Sequence, residues 1–420
     1  MNIKNMYKKS LKATALIAVV AILAVFALLG AACNNSEKVT DGTFEYALLK
    51  GGDAYEITAL GNTKDLNVTV PSRFDGKPVT RIGDGAFSNA GIKSVTIPDS
   101  VTQIGENAFS YCYSLTDVTL PYNLTVLGDG AFSYCGSLTQ ITLPDGVKDI
   151  KRNTFNACQS LMTVTFAANL TTISDGAFKG CLALEEIAWP DTLVKIGAEA
   201  FTATNIRNAR LPQSLTVLGD YAFAQCMLLE SVSIPASVSK IGDFAFSVCP
   251  SLTDVSIAVG VHEIGKSAFS GCEALQKIVL PGSVFSIGEY AFNDCGSLIE
   301  ITLPQALTEL PDGIFLMCDA LKTVLLPDGI TSIGTSAFQG CSSLESMIIP
   351  LKTVFIGETA FAHCRALDSL VFTDASGWTS GGEDIPEETL TDPHAAAVYA
   401  ENVANAMIKI FDKDDADMLS

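Results

Sequence analysis

The sequence predicts a repeat solenoid: a right-handed array of 23-residue units with a parallel β-sheet along one side and a short C-terminal helical cap. Three observations carry this expectation. A 23-residue unit occurs thirteen times in succession, the first and sixth copies one residue short, starting at Ile82, Ile104, Leu127, Ile150, Ile173, Ile196, Leu218, Ile241, Ile264, Ile287, Leu310, Ile333 and Ile356. Each unit holds a segment of the form L-x-x-V-x-L-P, whose alternating apolar and polar residues mark a strand with one buried face. Phenylalanine fills the sixth slot of all thirteen units, from Phe87 to Phe361, as a core column should. A unit this short cannot bury its own apolar side, so neighbours must stack.

Along the chain, the first element is a leader. Lys4, Lys8, Lys9 and Lys12 precede the uncharged run ALIAVVAILAVFALLGAAC, which ends at Cys33. A basic start, an apolar run and small residues before a cleavage point describe a secretory signal peptide over residues 1–32. An uncleaved membrane anchor is the alternative. LLGAAC resembles a bacterial lipobox, which implies lipid on Cys33 and a membrane tie. It departs from that pattern in having Gly30 three places before the cysteine, with Leu29 one place early. Cleavage without lipid therefore stays open. Cleavage removes four of the 26 basic residues and none of the 46 acidic ones, taking the formal charge from −20 to about −24. Residues 33–43 read as a polar tether, and residues 44–81 as an N-terminal capping half-unit.

Within the repeats, residues 82–372, each slot has a physical reason. Proline follows the strand in ten of the thirteen units, where it ends the ladder without costing an internal hydrogen bond. Glycine usually fills the second slot, as at Gly83, Gly105 and Gly128, and suits a tight corner. This register also explains GVHEIGKS, residues 260–267, which spells a phosphate-binding loop. Ile264-Gly265 is a repeat corner, Ala268-Phe269 a core pair, and Lys266 a variable outer slot. No nucleotide is expected.

The unit I-G-x-x-A-F-x-x-C-x-x-L-x-x-V-x-I-P resembles the BspA-like leucine-rich repeats of bacterial and protist surface proteins. The opening over residues 55–87, YEITALG followed by VTVPSRFDGKPVTRIGDGAF, resembles them too, and the likeness spans roughly residues 44–372. The resemblance implies a surface-exposed solenoid, without catalytic activity, that binds other proteins, host matrix proteins among them. It transfers no contact residue by position.

Two further columns carry chemistry. Eleven of the twelve cysteines, Cys112 to Cys364, occupy the ninth slot. Neighbouring rungs lie about 4.8 Å apart, yet equivalent side chains point the same way, so a ladder of free buried thiols is expected. The third slot is acidic in nine units: Asp84, Glu106, Asp129, Asp175, Asp220, Asp243, Glu289, Asp312 and Glu358. Such a column collects calcium or a basic partner, or else caps the turn that follows; capping is the favoured reading. No metal or other cofactor is expected. Excess acid disfavours nucleic acid as a partner. Only three histidines, His262, His363 and His394, are present, far apart in sequence, and no catalytic motif stands out from the repeats.

After Phe372 the period stops. Residues 373–420 read as a cap, with a helix over residues 393–411 begun by Asp392 and Pro393. Tyr399, Val403, Met407 and Ile410 fall on one face at helical spacing. The residues flanking the central apolar position of each strand face outward. One outward column is Thr96, Thr119, Thr142 and Thr165 early on, but becomes Val279, Thr302, Leu325, Ile348 and Val371. With Lys277, Thr323 and Ser346 beside it, this is the candidate ligand-binding face, for a protein on another cell or in the matrix. Two occupants fit the apolar stripe: a partner, or the C-terminal helix folded back. A structural envelope component and a glycan-binding or glycan-degrading component are the alternative functions.

Overall fold

The structure is a computed structural model and describes residues 38–409. The leader, Cys33 and Ile410 lie outside the described residues. The repeats stack as a continuous parallel β-solenoid around one core.

The predicted strand column is present. It runs from Asn67–Thr69 through Ser94–Thr96 and Lys277–Val279 to Ser369–Phe372, with parallel pairing between equivalent residues of successive rungs. The column lies in four sheets, because pairing lapses between Asp117–Thr119 and Gln140–Thr142 and between Asp254–Ile257 and Lys277–Val279, and residues 184–190 form no strand; there Trp189 stands in the slot that leucine, isoleucine or phenylalanine fills elsewhere. Trp189 packs edge-on to Phe201 at 5.3 Å.

A second parallel column was not expected. Two-residue strands such as Gln103–Ile104, Val126–Leu127 and Glu263–Ile264 pair rung to rung at the position read as a corner. The first-slot Ile or Leu is thus the buried residue of a second ladder. Where glycine follows it, contact rather than φ is the reason: a Cβ on Gly128 would lie 2.4 Å from the carbonyl carbon of Gly105.

Between the two ladders each rung makes the A-F turn, and the turns also bond to one another. The N–H groups of Phe87, Phe109 and Phe132 donate to the carbonyls of Ala108, Ala131 and Thr154 on the next rung, at 2.7–2.9 Å. To aim these groups, the fourth and eighth slots adopt positive φ in every unit, often without glycine: Phe244 and Val248 are both at 57°. That conformation is costly for bulky residues. It persists because both N–H groups gain a bond of 2.7 Å to the next rung. Twelve consecutive pairs of phenylalanine rings stack through the centre at 4.7–6.0 Å.

Both ends are covered. The N-terminal cap begins within the stretch read as a tether, because Val39–Thr40 pairs antiparallel with Phe44–Leu48. Phe44 meets Phe87 edge-on at 6.1 Å and closes that end of the aromatic column. At the other end the expected helix is shorter than predicted. It spans Pro393–Asn402, with the Asp392 carboxylate accepting from the N–H groups of His394 and Ala395. Ala396, Ala397 and Ala400 are its buried side. Met407–Lys409 is instead a strand, antiparallel to Phe355–Ile356 and Trp378–Ser380. The correction has a physical reason. The last rung of the second ladder would otherwise end in an unpaired edge, and the Lys409 N–H donates to Val354 O at 2.9 Å.

Candidate functional site

The eight candidate residues of the strand face, Lys277, Val279, Thr302, Thr323, Leu325, Ser346, Ile348 and Val371, are all solvent-exposed. They sit in register: Val279 opposes Thr302, Thr302 opposes Leu325, and Ile348 opposes Val371. Leu325 is 83 % exposed and Ile348 60 %, so the apolar stripe is not where the C-terminal helix folds back. That helix packs beyond the stripe, against the last strand, Ser369–Phe372. Lys277 is not a free charge, since it pairs with Glu300 on the next rung.

Around the stripe the face forms a groove of about 700 Å³, bounded by Leu325, Ile348, Leu351 and Val371 with Asp328 and Lys352 at its rim. Leu351 was missed in the sequence, and a signal was there. The slot after the turn proline is polar or glycine in most units, as at Asp99, Asp145 and Gln213, and Leu351 breaks that habit with 55 % exposure. Upstream the same outward column is polar: Thr69, Thr96 and Thr119 in register, and later Arg210, Ser233 and Ser256. The face therefore has a hydroxyl-rich half and an apolar half.

The other sequence signals resolve into architecture. Residues after Gly265 form the A-F turn, where a phosphate-binding loop would start a helix. Lys266 Nζ lies 2.6 Å from Glu289 and 5.8 Å from the Tyr290 ring centre, while Ser267 is buried with φ 50°. The acidic column does cap, but across rungs rather than within its own turn. Asp84, Asp175, Asp220, Asp243 and Asp312 accept from the backbone N–H of the equivalent residue one rung on, at 2.6–3.1 Å.

The eleven repeat cysteines are buried and unbridged. Each thiol donates to the carbonyl of the phenylalanine one rung back, at 3.1–3.3 Å. The Ile196 unit lacks cysteine, and its Thr204 hydroxyl donates instead within its own rung, to Phe201 O at 2.9 Å. Burial pushes the Cys158, Cys272 and Cys364 thiols up to about 12. These three stay protonated at neutral pH, and all eleven side chains are fully buried, out of a reagent's reach. Native protein at pH 8 is thus expected to resist iodoacetamide at these eleven positions, and to take up eleven equivalents there once unfolded without reductant. Rapid native labelling, or missing labels after unfolding, would contradict the ladder of free thiols.

Comparison with known proteins agrees with this geometry. The profile of the BspA type leucine rich repeat region matches residues 80–201, 171–285 and 262–377. Among solved structures, a leucine-rich repeat protein from Bacteroides ovatus is similar with a TM-score of 0.72 and 29 % identity, over 80 % of this chain and 88 % of that one. A leucine rich cell surface protein from Faecalibacterium prausnitzii has a TM-score of 0.56 and 33 % identity, over 82 % of this chain and 96 % of its own. The pneumococcal vaccine antigen PcpA shares the fold, with a TM-score of 0.50 at 20 % identity, over 76 % of this chain and 92 % of that one. No curated protein matches the chain. With the repeats, the two ladders and the matched profile in agreement, the chain belongs to the BspA-type leucine-rich repeat family of bacterial surface proteins.

Proposed function

We propose that this chain is an exported, lipid-anchored surface protein that captures a protein ligand, on another cell or in the matrix, through the C-terminal half of its strand face. One observation carries the reading: Leu325, Ile348, Leu351 and Val371 form an exposed apolar patch around one groove, with Val279 beyond Thr302 on the same column, on a strand face that is polar upstream. A contiguous patch of this kind marks an interaction site, whereas scattered exposed hydrophobes do not. Apolar centre and polar rim is also the ordinary anatomy of a protein interface. A rigid sheet presents it without an ordering cost on this side of the complex. Repeat folds of this kind are typically non-enzymatic and suit protein interaction, and binding is the activity we assign. The reading is tested with the soluble fragment from residue 40 onward, offered purified matrix proteins and cell-surface proteins. Saturable binding to one of them supports the assignment, and its absence across the set opposes it.

Anchoring has its own test. Stable attachment takes two or more acyl chains, so protein extracted from membranes is expected to begin at Cys33 and to carry acyl mass. A mature N-terminus at Cys33 without added mass would leave the protein secreted rather than anchored.

A further inference from the structure

A second surface lies along the edge formed by the eighth and tenth slots, away from the strand face. In the units that begin at Ile104 and Leu127, this edge carries three exposed tyrosines. Tyr111 and Tyr134, both in the eighth slot, stack with ring centres 4.8 Å apart and planes 10° from parallel. Tyr113, in the tenth slot, stands 6.1 Å from Tyr111 at 60° to it, so the three rings make the wall and floor of a corner. Exposure is 43 %, 58 % and 39 % for Tyr111, Tyr113 and Tyr134.

The neighbours keep this corner open. On the rungs either side of Tyr113 its slot holds Gly91 and Gly136, and a Cβ on either glycine would meet nothing within 4 Å. Two rung spacings, about 9–10 Å, are thus left clear around the Tyr113 ring. The backbone beneath is fixed: Tyr111 N–H donates to Ser133 O at 2.8 Å, Tyr134 N–H to Asn156 O at 2.7 Å, and Ser137 Oγ to Tyr113 O at 2.7 Å. The three phenol hydroxyls make no hydrogen bond among the described residues, and each can both donate and accept. Although the chain carries a formal charge of −20, the eighth and tenth slots of these three rungs hold no charged residue: Asn89, Gly91, Tyr111, Tyr113, Tyr134 and Gly136.

We propose that this corner is a binding site for a neutral glycan. The negative face of the Tyr113 ring attracts the polarised C–H groups on the apolar face of a pyranose. The Tyr111 and Tyr134 hydroxyls exchange hydrogen bonds with the sugar's hydroxyl rim. Absence of charge selects against uronic and sulfated sugars. A protein partner fits less well. Aromatic hot spots work when surrounding contacts seal them from water, and the flanking glycines leave this ring unsealed.

The test is affinity electrophoresis of the soluble protein through gels that contain soluble β-glucan, mannan or xylan, with serum albumin as the mobility standard. At least one of these polysaccharides is expected to retard the protein. Tyr113→Ala should weaken that retardation at least tenfold, and Tyr113→Phe and Tyr113→Trp should preserve it. Tyr111→Phe with Tyr134→Phe should weaken it severalfold, whereas Leu325→Asp with Ile348→Asp should leave it unchanged. Every substituted residue is exposed, and an unshifted melting temperature confirms that each variant folds. No retardation by any of the three polysaccharides, or retardation that survives Tyr113→Ala, overturns the proposal. So does loss of protein capture, rather than of glycan retardation, in Tyr113→Ala.

Discussion

Phe269→Ala is expected to lower the stability of the solenoid by about 3–5 kcal/mol, as deletion of a core aromatic does. The ring is fully buried and stacks at 5.4 Å on Phe246 and 5.6 Å on Phe292, so its loss leaves a cavity that two rungs must share. Because each rung touches only its neighbours, the damage divides the array. Urea denaturation should then show an early transition of the rungs near the substitution, and a single two-state fit should fail. Lys266→Ala is the companion measurement. Its ammonium is exposed and meets Glu289 and the Tyr290 ring across the surface, where screening leaves little net stabilisation, so its midpoint should match that of the unaltered protein. Equal midpoints for Phe269→Ala and the parent would contradict the column as the source of stability.

Leu325→Asp combined with Ile348→Asp is expected to weaken capture of the protein ligand at least a hundredfold. Two carboxylates placed in the apolar centre of an interface must be desolvated on binding, and no partner groups are arranged to receive them. The melting temperature should move little. Both side chains stand outside the core, at 83 % and 60 % exposure, and exposed substitutions seldom matter to folding. A control belongs on the second ladder, whose outward residues include Val126 and Val217, each about 40 % exposed. Val126→Asp with Val217→Asp should bind as before. Unchanged capture by the Leu325/Ile348 variant would move the site elsewhere.

How much of this was legible in the sequence follows from the physics of translation. A parallel stack repeats each environment at each rung, so a slot that must be aromatic, small or apolar shows itself thirteen times. Phe87 to Phe361, the cysteines and the outward column were all readable for that reason. The second ladder was not, because a two-residue strand is too short to display alternation. Nor were the positive-φ slots, whose occupants include Tyr111, Phe244 and Val248; neighbour-rung hydrogen bonds offset a cost that local sequence advertises only through glycine. Asp243 was read correctly as a cap, but which N–H it satisfies depends on the next rung, 23 residues on. Met407–Lys409 fits helical spacing equally well, and only the open edge of the last rung decides for a strand. The strand face was legible as outward-facing, while its freedom from the C-terminal helix needed three dimensions. The tyrosine corner escaped because its logic is a contrast between rungs, Tyr113 between Gly91 and Gly136, where a periodic reading averages across them.

The most direct test of the central claim is site-specific photo-cross-linking. A photoreactive phenylalanine analogue is placed singly at Leu325, at Ile348 and, on the second ladder, at Val217, and each protein is irradiated with its bound ligand. Covalent capture of the same protein is expected from positions 325 and 348 and none from 217. Capture from 217 alone, or from none of the three while binding persists, would contradict it.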